Sequence, residues 1–189
     1  MRASDIGIVS PVDATIATSG GAGVTIGLIK KAGIPFYTEG SEGFARDSSR
    51  SAPYNLFANL QDVGSEAQLD EATRPENYLP WGSEDDFPAG QPAKTIAASF
   101  GAGHTTNWSY DGKGYVNQNT FAEQGDTFPA DTVLVLRVQV GDAGYLDPAG
   151  NPVPETKFAG KGEAMVFHDG RLVRGTWGKR DLGSPITLS

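Results

Sequence analysis

The chain has 189 residues, enough for a sizeable buried core, and we predict a single domain over 1–189. Its formal net charge of −8 at pH 7 opposes nucleic-acid binding, which requires a basic face. The absence of cysteine excludes disulfides, a thiolate nucleophile and Cys-ligated metals. Because no signal-peptide pattern and no run of about 18 apolar residues occurs, we expect no membrane span in this chain.

Residues 1–61 have the pattern of an α/β part. Short strands are predicted between residues 5 and 18, followed by a glycine-rich turn and a helix over about 22–32. Gly33 is the expected C′ residue of that helix, and the apolar stretch 34–38 predicts the next strand. A strand, helix, strand order favours parallel pairing of the two strands.

A second helix is predicted after the polar stretch 40–51, with Ser51 as its N-cap and its end near Val63. Its buried positions are predicted to be Leu56, Phe57 and Leu60. A short helix is predicted over 65–71. Residues 62–93 are acidic and interrupted by prolines, which indicates a solvated connecting loop between two parts of the chain.

Residues 94–189 are predicted to be rich in β-strands. Strands at 94–100, 105–110 and 114–118 are separated by turn residues, which indicates antiparallel pairing. The alternating apolar pattern of 132–140 predicts one long strand, and 147–156 is predicted to be a loop.

The stretch 162–179 predicts a β-hairpin. Its central dipeptide, Asp169-Gly170, supplies the positive φ angles of a two-residue turn. The register set by that turn places the Trp177 ring across Gly162, and we expect this face to be buried. The following residues, 185–189, have the pattern of a further strand.

Four blocks of sequence carry a family resemblance: GxAxVFxDGRxVxGTWxK at 162–179, FARDSSRSAPYNLFANL at 44–60, YDGKGY at 110–115 and ADTVLVL at 130–136. Together they resemble the YerB-like lipoproteins, bacterial envelope proteins with a domain of unknown function. The resemblance implies an extracytoplasmic domain excised from a lipid-anchored or secreted envelope protein, with a lipid-modified cysteine upstream. It implies no established chemistry. Those sequences usually have histidine where this chain has Tyr54, which removes an acid/base candidate.

The first candidate ligand site is the glycine-rich turn that begins with Ser19, Gly20 and Gly21. It precedes a predicted helix, whose free backbone N–H groups and dipole favour an anion. The turn lacks the Lys-Ser/Thr of a P-loop and the spacing of a dinucleotide fingerprint. The alternative is a tight turn in which glycine permits close backbone packing.

The second candidate is the polar cluster of Arg46, Asp47 and Arg50. Two guanidinium groups beside a predicted helix start could hold a carboxylate or a phosphate. The alternative is an arginine–aspartate pair that orders the loop and caps the helix. Asp47 is also a candidate general base.

His104, at a predicted strand start with small and polar neighbours, is the other candidate base. His168 is predicted to face Arg171 at an exposed hairpin tip and to be structural. The two histidines have no HxH or HExxH spacing, and the acidic stretches lack EF-hand spacing, so we expect no metal site and no cofactor.

These features predict an α+β fold, with a mixed sheet and helices in the first half and an antiparallel β-rich second half ending in a hairpin. We expect a ligand site in a cleft between the halves, lined by Ser19 to Gly23, Arg46, Asp47, Arg50 and His104. The predicted function is a binding or scaffold module for a cell-wall polymer or envelope protein. One alternative is a hydrolase or transferase acting on cell-wall polymer. The other is a protein-interaction module that uses the acidic loop.

Overall fold

The computed structural model of the chain describes residues 1–52, 54–69, 77–79, 81–101, 103–119, 127–147 and 150–189. The helices in these ranges are α1 (Ile6–Val9), α2 (Gly23–Lys31) and α3 (Leu60–Glu66), with 3-10 turns at Ala3–Asp5, Ser10–Val12 and Glu84–Asp86. The strands are β1 (Ile16–Ala17), β2 (Phe36–Tyr37), β3 (Phe44–Arg46), β4 (Leu56–Ala58), β5 (Gln91–Pro92), β6 (Thr95–Gly101), β7 (His104–Tyr110), β8 (Tyr115–Asn117), β9 (Pro129–Ala130), β10 (Thr132–Leu136), β11 (Gln139–Leu146), β12 (Pro152–Lys157), β13 (Gly160–His168), β14 (Arg171–Lys179) and β15 (Thr187–Leu188). The chain is therefore a mixed α and β protein with a β-rich second half, as predicted.

The chain forms two compact units, each assembled from several stretches of sequence. The first unit contains Met1–Pro80, Gln139–Gly160 and Lys179–Ile186. The second unit contains Trp81–Val138, Lys161–Gly178 and Thr187–Ser189. The boundaries predicted at 61 and 93 stay predictions.

The N-terminal segment of the first unit is helical, so the strands predicted before residue 13 are wrong. The Asp5 carboxylate accepts a hydrogen bond from the Arg2 backbone N–H at 2.8 Å and caps the first turn. The helical turns also bury Gly7, where an added Cβ would lie 2.8 Å from Cδ1 of Phe158. Local capping and this close packing override the β-branched pattern of the segment.

The predicted strand, helix, strand unit is confirmed. β1 and β2 pair in parallel, and α2 connects them. Ile29 and Thr25 are the buried positions of α2, and Thr25 shares a hydrogen bond of 2.9 Å with the Tyr145 hydroxyl on β11. Gly33 follows the helix with φ of +72°, the left-handed conformation expected of its C′ residue.

The helix predicted from Ser51 is wrong, because the chain forms a strand first. β4 pairs antiparallel with β3, and α3 begins only after Asn59, whose side chain accepts the Gln61 backbone N–H at 3.0 Å. The side chain of Asn59 therefore caps the helix, in the role that was predicted for Ser51 eight residues earlier. A second, short helix was predicted over 65–71, and residues 70 and 71 of that range lie outside the described residues.

In the second unit, the antiparallel pairing predicted for 94–118 is confirmed. β6, β7, β8 and β9 form one antiparallel sheet. β10, β13, β14 and β15 form another, and β5 pairs with β14. The core between these strands consists of Ile96, Tyr115, Val133 and Phe167.

The single strand predicted over 132–140 is wrong, because the chain breaks after Leu136. At that point the Arg137 carbonyl accepts a hydrogen bond from Nε1 of Trp177 at 2.9 Å. The chain then passes from the second unit into the first, where it forms β11. The loop predicted at 147–156 is also wrong in its second part, since β12 pairs antiparallel with β11.

β13 and β14 are hydrogen-bonded neighbours in their sheet, joined through Asp169 and Gly170. The φ angles of these two residues are +47° and +66°, which confirms the positive values expected of the turn dipeptide. An added Cβ at Gly162 would lie 2.6 Å from Nε1 of Trp177, so the ring covers this glycine as predicted. β15 follows and pairs with β14, and the residue-by-residue register between β13 and β14 stays a prediction.

Candidate functional site

The glycine-rich turn lies where it was predicted, directly before α2. Gly20 has φ of +120°, a value that requires glycine, and its backbone N–H contacts the Thr18 hydroxyl at 3.2 Å. The Met1 ammonium donates to the Gly20 carbonyl at 2.9 Å. A Cβ at Gly21 would lie 3.3 Å from Cβ of Met1. The N-terminal residue therefore packs against this turn, which gives its glycines a structural role.

Arg46, at the end of β3, is held by two partners of the first unit. Its Nε and one terminal nitrogen donate to the Glu39 carboxylate at 2.5 and 2.6 Å, and the other terminal nitrogen donates to Oδ1 of Asn55 at 2.7 Å. The bidentate bond lowers the pKa of Glu39 and raises that of Arg46. This arrangement joins the segment before β3 to the start of β4, so Arg46 orders the hairpin.

Asp47 begins the loop between β3 and β4 and organises its backbone. Its Oδ1 accepts hydrogen bonds from the backbone N–H and hydroxyl of Ser49 at 2.8 and 2.6 Å. These bonds, with a smaller contribution from the Arg50 charge, lower the pKa of the Asp47 carboxyl. The predicted Asp–Arg pair is present, because Nε of Arg50 lies 3.5 Å from Oδ2 of Asp47.

The β3–β4 hairpin and the residue that begins α3 also present an exposed cation and exposed apolar side chains. The Arg50 guanidinium lies over the Phe57 ring at 5.0 Å from its centroid. Tyr54 is 83% exposed, Phe57 45% and Leu60 72%, so the burial predicted for Phe57 and Leu60 is wrong. Helical periodicity placed both residues inside, whereas Phe57 lies on β4, which pairs with β3, and Leu60 is the first residue of α3. We call Arg50, Tyr54, Phe57 and Leu60 the hairpin surface.

His104 lies at the first position of β7 in the second unit and is exposed, with its ring 5.7 Å from the Phe100 ring. The predicted ligand-binding residues Ser19, Gly20, Gly21, Arg46, Asp47 and Arg50 all belong to the first unit. His168 has structural contacts: its Nδ1 lies 2.9 Å from the Thr132 hydroxyl, and its ring meets Phe87 edge to face at 5.2 Å.

A further polar cluster, which no local sequence pattern indicates, surrounds the turn between β13 and β14. The Tyr110 hydroxyl donates to Oδ1 of Asp169 at 2.6 Å, and a terminal nitrogen of Arg171 donates to Oδ2 at 3.3 Å. The Tyr110 bond lowers the pKa of Asp169 and raises the pKa of Tyr110 to about 12. The Arg171 guanidinium also lies over the Phe87 ring at 5.4 Å. Tyr110 and Asp169 each belong to a turn that the sequence predicts, in the blocks YDGKGY and FHDGR. Their contact could not be predicted because the two residues are 59 positions apart.

Within the described ranges, no group of three or more His, Cys, Asp or Glu side chains has a geometry suited to a metal ion. No helix in the same ranges has the length and hydropathy of a membrane-spanning segment.

Comparison with known proteins identifies the family. Residues 1–73 match the model for the N-terminal domain of the protein of unknown function DUF3048, and residues 96–189 match the model for its C-terminal domain. The chain therefore belongs to the DUF3048 family.

The fold is similar to the crystal structure of the YerB protein from Bacillus subtilis, with a TM-score of 0.74 and 13% sequence identity. The match covers 100% of this chain and 66% of the YerB chain, so the chain spans about two thirds of that protein. No curated protein matches the chain in sequence. The likeness to YerB confirms the predicted family resemblance and shows a shared fold.

Proposed function

We propose that this chain is an extracytoplasmic binding or scaffold module of a lipid-anchored or secreted bacterial envelope protein. Its location is inferred from the YerB-like family to which the chain belongs. The binding role is supported by the hairpin surface, where the Arg50 guanidinium lies over the Phe57 ring and Tyr54 and Leu60 are exposed.

The ligand chemistry that fits the hairpin surface combines negative charge with sugar rings. Arginine pairs with carboxylate and phosphate, and exposed aromatic rings stack on the apolar faces of sugars. Arg50 is half exposed, with a side-chain exposure of 49%. Asp47 and Phe57 hold its guanidinium in place, which reduces the conformational entropy lost on binding. An anionic cell-wall polymer has both features, and we propose it as the ligand.

The other residues predicted to bind this ligand have supporting roles in the proposal. Arg46 is engaged with Glu39 and Asn55 and positions the hairpin. Asp47 fixes the loop through Ser49. Ser19, Gly20 and Gly21 shape the turn before α2, and Gly21 packs against the Met1 side chain.

Catalysis on the same polymer is the competing function. A general base works best when its pKa is near the working pH, and the hydrogen bonds from Ser49 move the pKa of Asp47 downward from its ordinary acidic value. That direction favours a permanently ionised structural carboxylate. The hairpin surface requires no such group, so binding is the better supported function.

Co-sedimentation of the purified chain with insoluble cell-wall sacculi, with and without their anionic polymers, tests the proposal. Arg50→Ala and Tyr54→Ala should each reduce the bound fraction, and removal of the anionic polymers should reduce binding of the wild type. Arg180→Ala is the matched control, because Arg180 has the same charge and an 86% exposed side chain elsewhere in the first unit.

Unchanged binding by folded Arg50→Ala and Tyr54→Ala variants would contradict the proposed surface. Absence of sedimentation by the wild type would contradict the polymer ligand and favour a protein partner. In that case the acidic turn at Glu84–Asp86, where Asp86 accepts from Ser83, is the surface to test next.

A further inference from the structure

A pocket in the first unit, separate from the hairpin surface, has the features of a ligand site. Its cavity volume is about 210 Å³. Its apolar lining comes from Ala3, Phe158, Ala159 and Leu182, and its polar lining includes Lys157 and Glu155. The 3-10 turn at the start of the chain, the end of β12 and the segment after β14 thus meet at one place.

The apolar floor of this pocket is fixed by close packing around Gly7. An added Cβ there would lie 2.8 Å from Cδ1 of Phe158 and 3.1 Å from Cδ2 of Leu182. The Lys179 ammonium lies 5.4 Å from the centroid of the Phe158 ring and donates to the Ser184 carbonyl. Lys179 is 3% exposed, so it supports the ring from the protein interior.

The size of the pocket suits one ring-sized apolar group. A cavity of about 150 Å³ lined by apolar side chains accommodates one benzene, whereas drug-sized ligands occupy pockets of about 300 Å³ or more. The cavity here lies between these values. A ligand that fills it has one phenyl or branched aliphatic group and a small polar head.

The polar lining carries one charge of each sign. The Lys157 ammonium and the Glu155 carboxylate pair with each other, and their side chains are 47% and 27% exposed. An ammonium has three N–H donors and a carboxylate has about four acceptor positions, so each group retains bonding capacity after this pairing. A ligand carboxylate beside Lys157 and a ligand ammonium beside Glu155 would complete a network of four alternating charges.

We propose that this pocket binds a free amino acid with an apolar side chain, its side chain on Phe158 and Leu182 and its two charges on Lys157 and Glu155. This inference is independent of the proposed function, because it uses none of the residues of the hairpin surface.

The test uses four probes that share a phenyl ring and differ in their charges: phenylalanine, 3-phenylpropanoate, 2-phenylethylamine and 2-phenylethanol. Binding to the full chain is measured by titration of backbone amide chemical shifts. Phenylalanine should shift the amides of residues 155–159 and Leu182 and should bind more tightly than the other three probes. Loss of either ligand charge should weaken binding about threefold to fivefold, as expected for partly exposed ion pairs.

Two substitutions separate the roles of the charges. Lys157→Gln should weaken phenylalanine and 3-phenylpropanoate and leave 2-phenylethylamine unaffected or tighter. Glu155→Gln should have the converse effect on the amine. Lys31→Gln, at the exposed end of α2, is the matched control for the change in net charge.

Equal affinity for 2-phenylethanol and phenylalanine would overturn the assignment of the charges. Phenylalanine binding that is insensitive to both substitutions, or no shift at these amides with millimolar probe, would overturn the site. Both lysines and Glu155 are partly exposed, so the variants should fold, and amide spectra outside the pocket provide the check.

Discussion

Replacement of Gly162 by alanine should destabilise the second unit strongly. The added Cβ would lie 2.4 Å from the Arg137 carbonyl oxygen and 2.6 Å from Nε1 of Trp177. These two atoms form a hydrogen bond of 2.9 Å, and Trp177 is 2% exposed. The methyl group therefore has to displace a buried ring or break its hydrogen bond.

The expected cost has two contributions. Overpacking a buried site costs about 1–3 kcal/mol, and leaving a buried indole N–H without a partner costs about 1–3 kcal/mol. We expect a loss of about 3 kcal/mol in the free energy of unfolding, which corresponds to a decrease of about 6–12 °C in Tm.

Urea unfolding followed by tryptophan fluorescence measures this effect in the second unit. The three tryptophans, at positions 81, 108 and 177, all belong to that unit. Gly101→Ala is the matched control, because an added Cβ there meets nothing within 4 Å, and its effect should be within about 0.5 kcal/mol.

A double-mutant cycle locates the contact. If the methyl group acts through Nε1, Gly162→Ala should cost less in a Trp177→Phe background than in the wild type. Gly162→Ala with the stability of the Gly101→Ala control would refute the steric argument. Equal costs in both backgrounds would refute the role of the indole.

Other predictions concern the remaining contacts. Because its pKa is lowered in the folded state, Asp169 should stabilise the chain above about pH 4, and this contribution should be lost as pH falls; urea midpoints against pH should show a smaller acid loss in Asp169→Asn. The raised pKa of Tyr110 predicts a loss of stability at alkaline pH. Its contribution to the free energy of unfolding is present below about pH 10 and is lost as pH rises toward about 12, so urea midpoints should fall less at high pH in Tyr110→Phe. Asn59→Ala should cost about 1 kcal/mol in thermal or urea unfolding through loss of the α3 cap, and a retained stability would contradict that role. Arg46→Ala should lower Tm more than Arg180→Ala does, and equal Tm values would mean that Arg46 does not order the hairpin.

Short-range patterns in the sequence were sufficient for several elements. The strand, helix, strand unit around α2 follows from helical periodicity ended by Gly33, and the positive φ angles at Asp169 and Gly170 follow from turn chemistry. The position of Trp177 over Gly162 follows from counting outward from that turn. In each case the deciding interactions lie within a few residues or are set by one turn.

Tertiary structure decided the rest, because the deciding partners are distant in sequence. Residues 56–58 have an apolar spacing compatible with a helix, but pairing with β3 makes them a strand and exposes Phe57. The strand beginning at Thr132 ends after Leu136, where the Arg137 carbonyl meets Trp177, 40 residues away. Arg46 was predicted to bind a ligand, and its guanidinium is instead bonded to Glu39 and Asn55. The sequence by itself determined the family, the mixed fold and the local turns, whereas the exposed hairpin surface requires the pairing of β3 with β4, and the pocket under Phe158 requires the packing of segments distant in sequence.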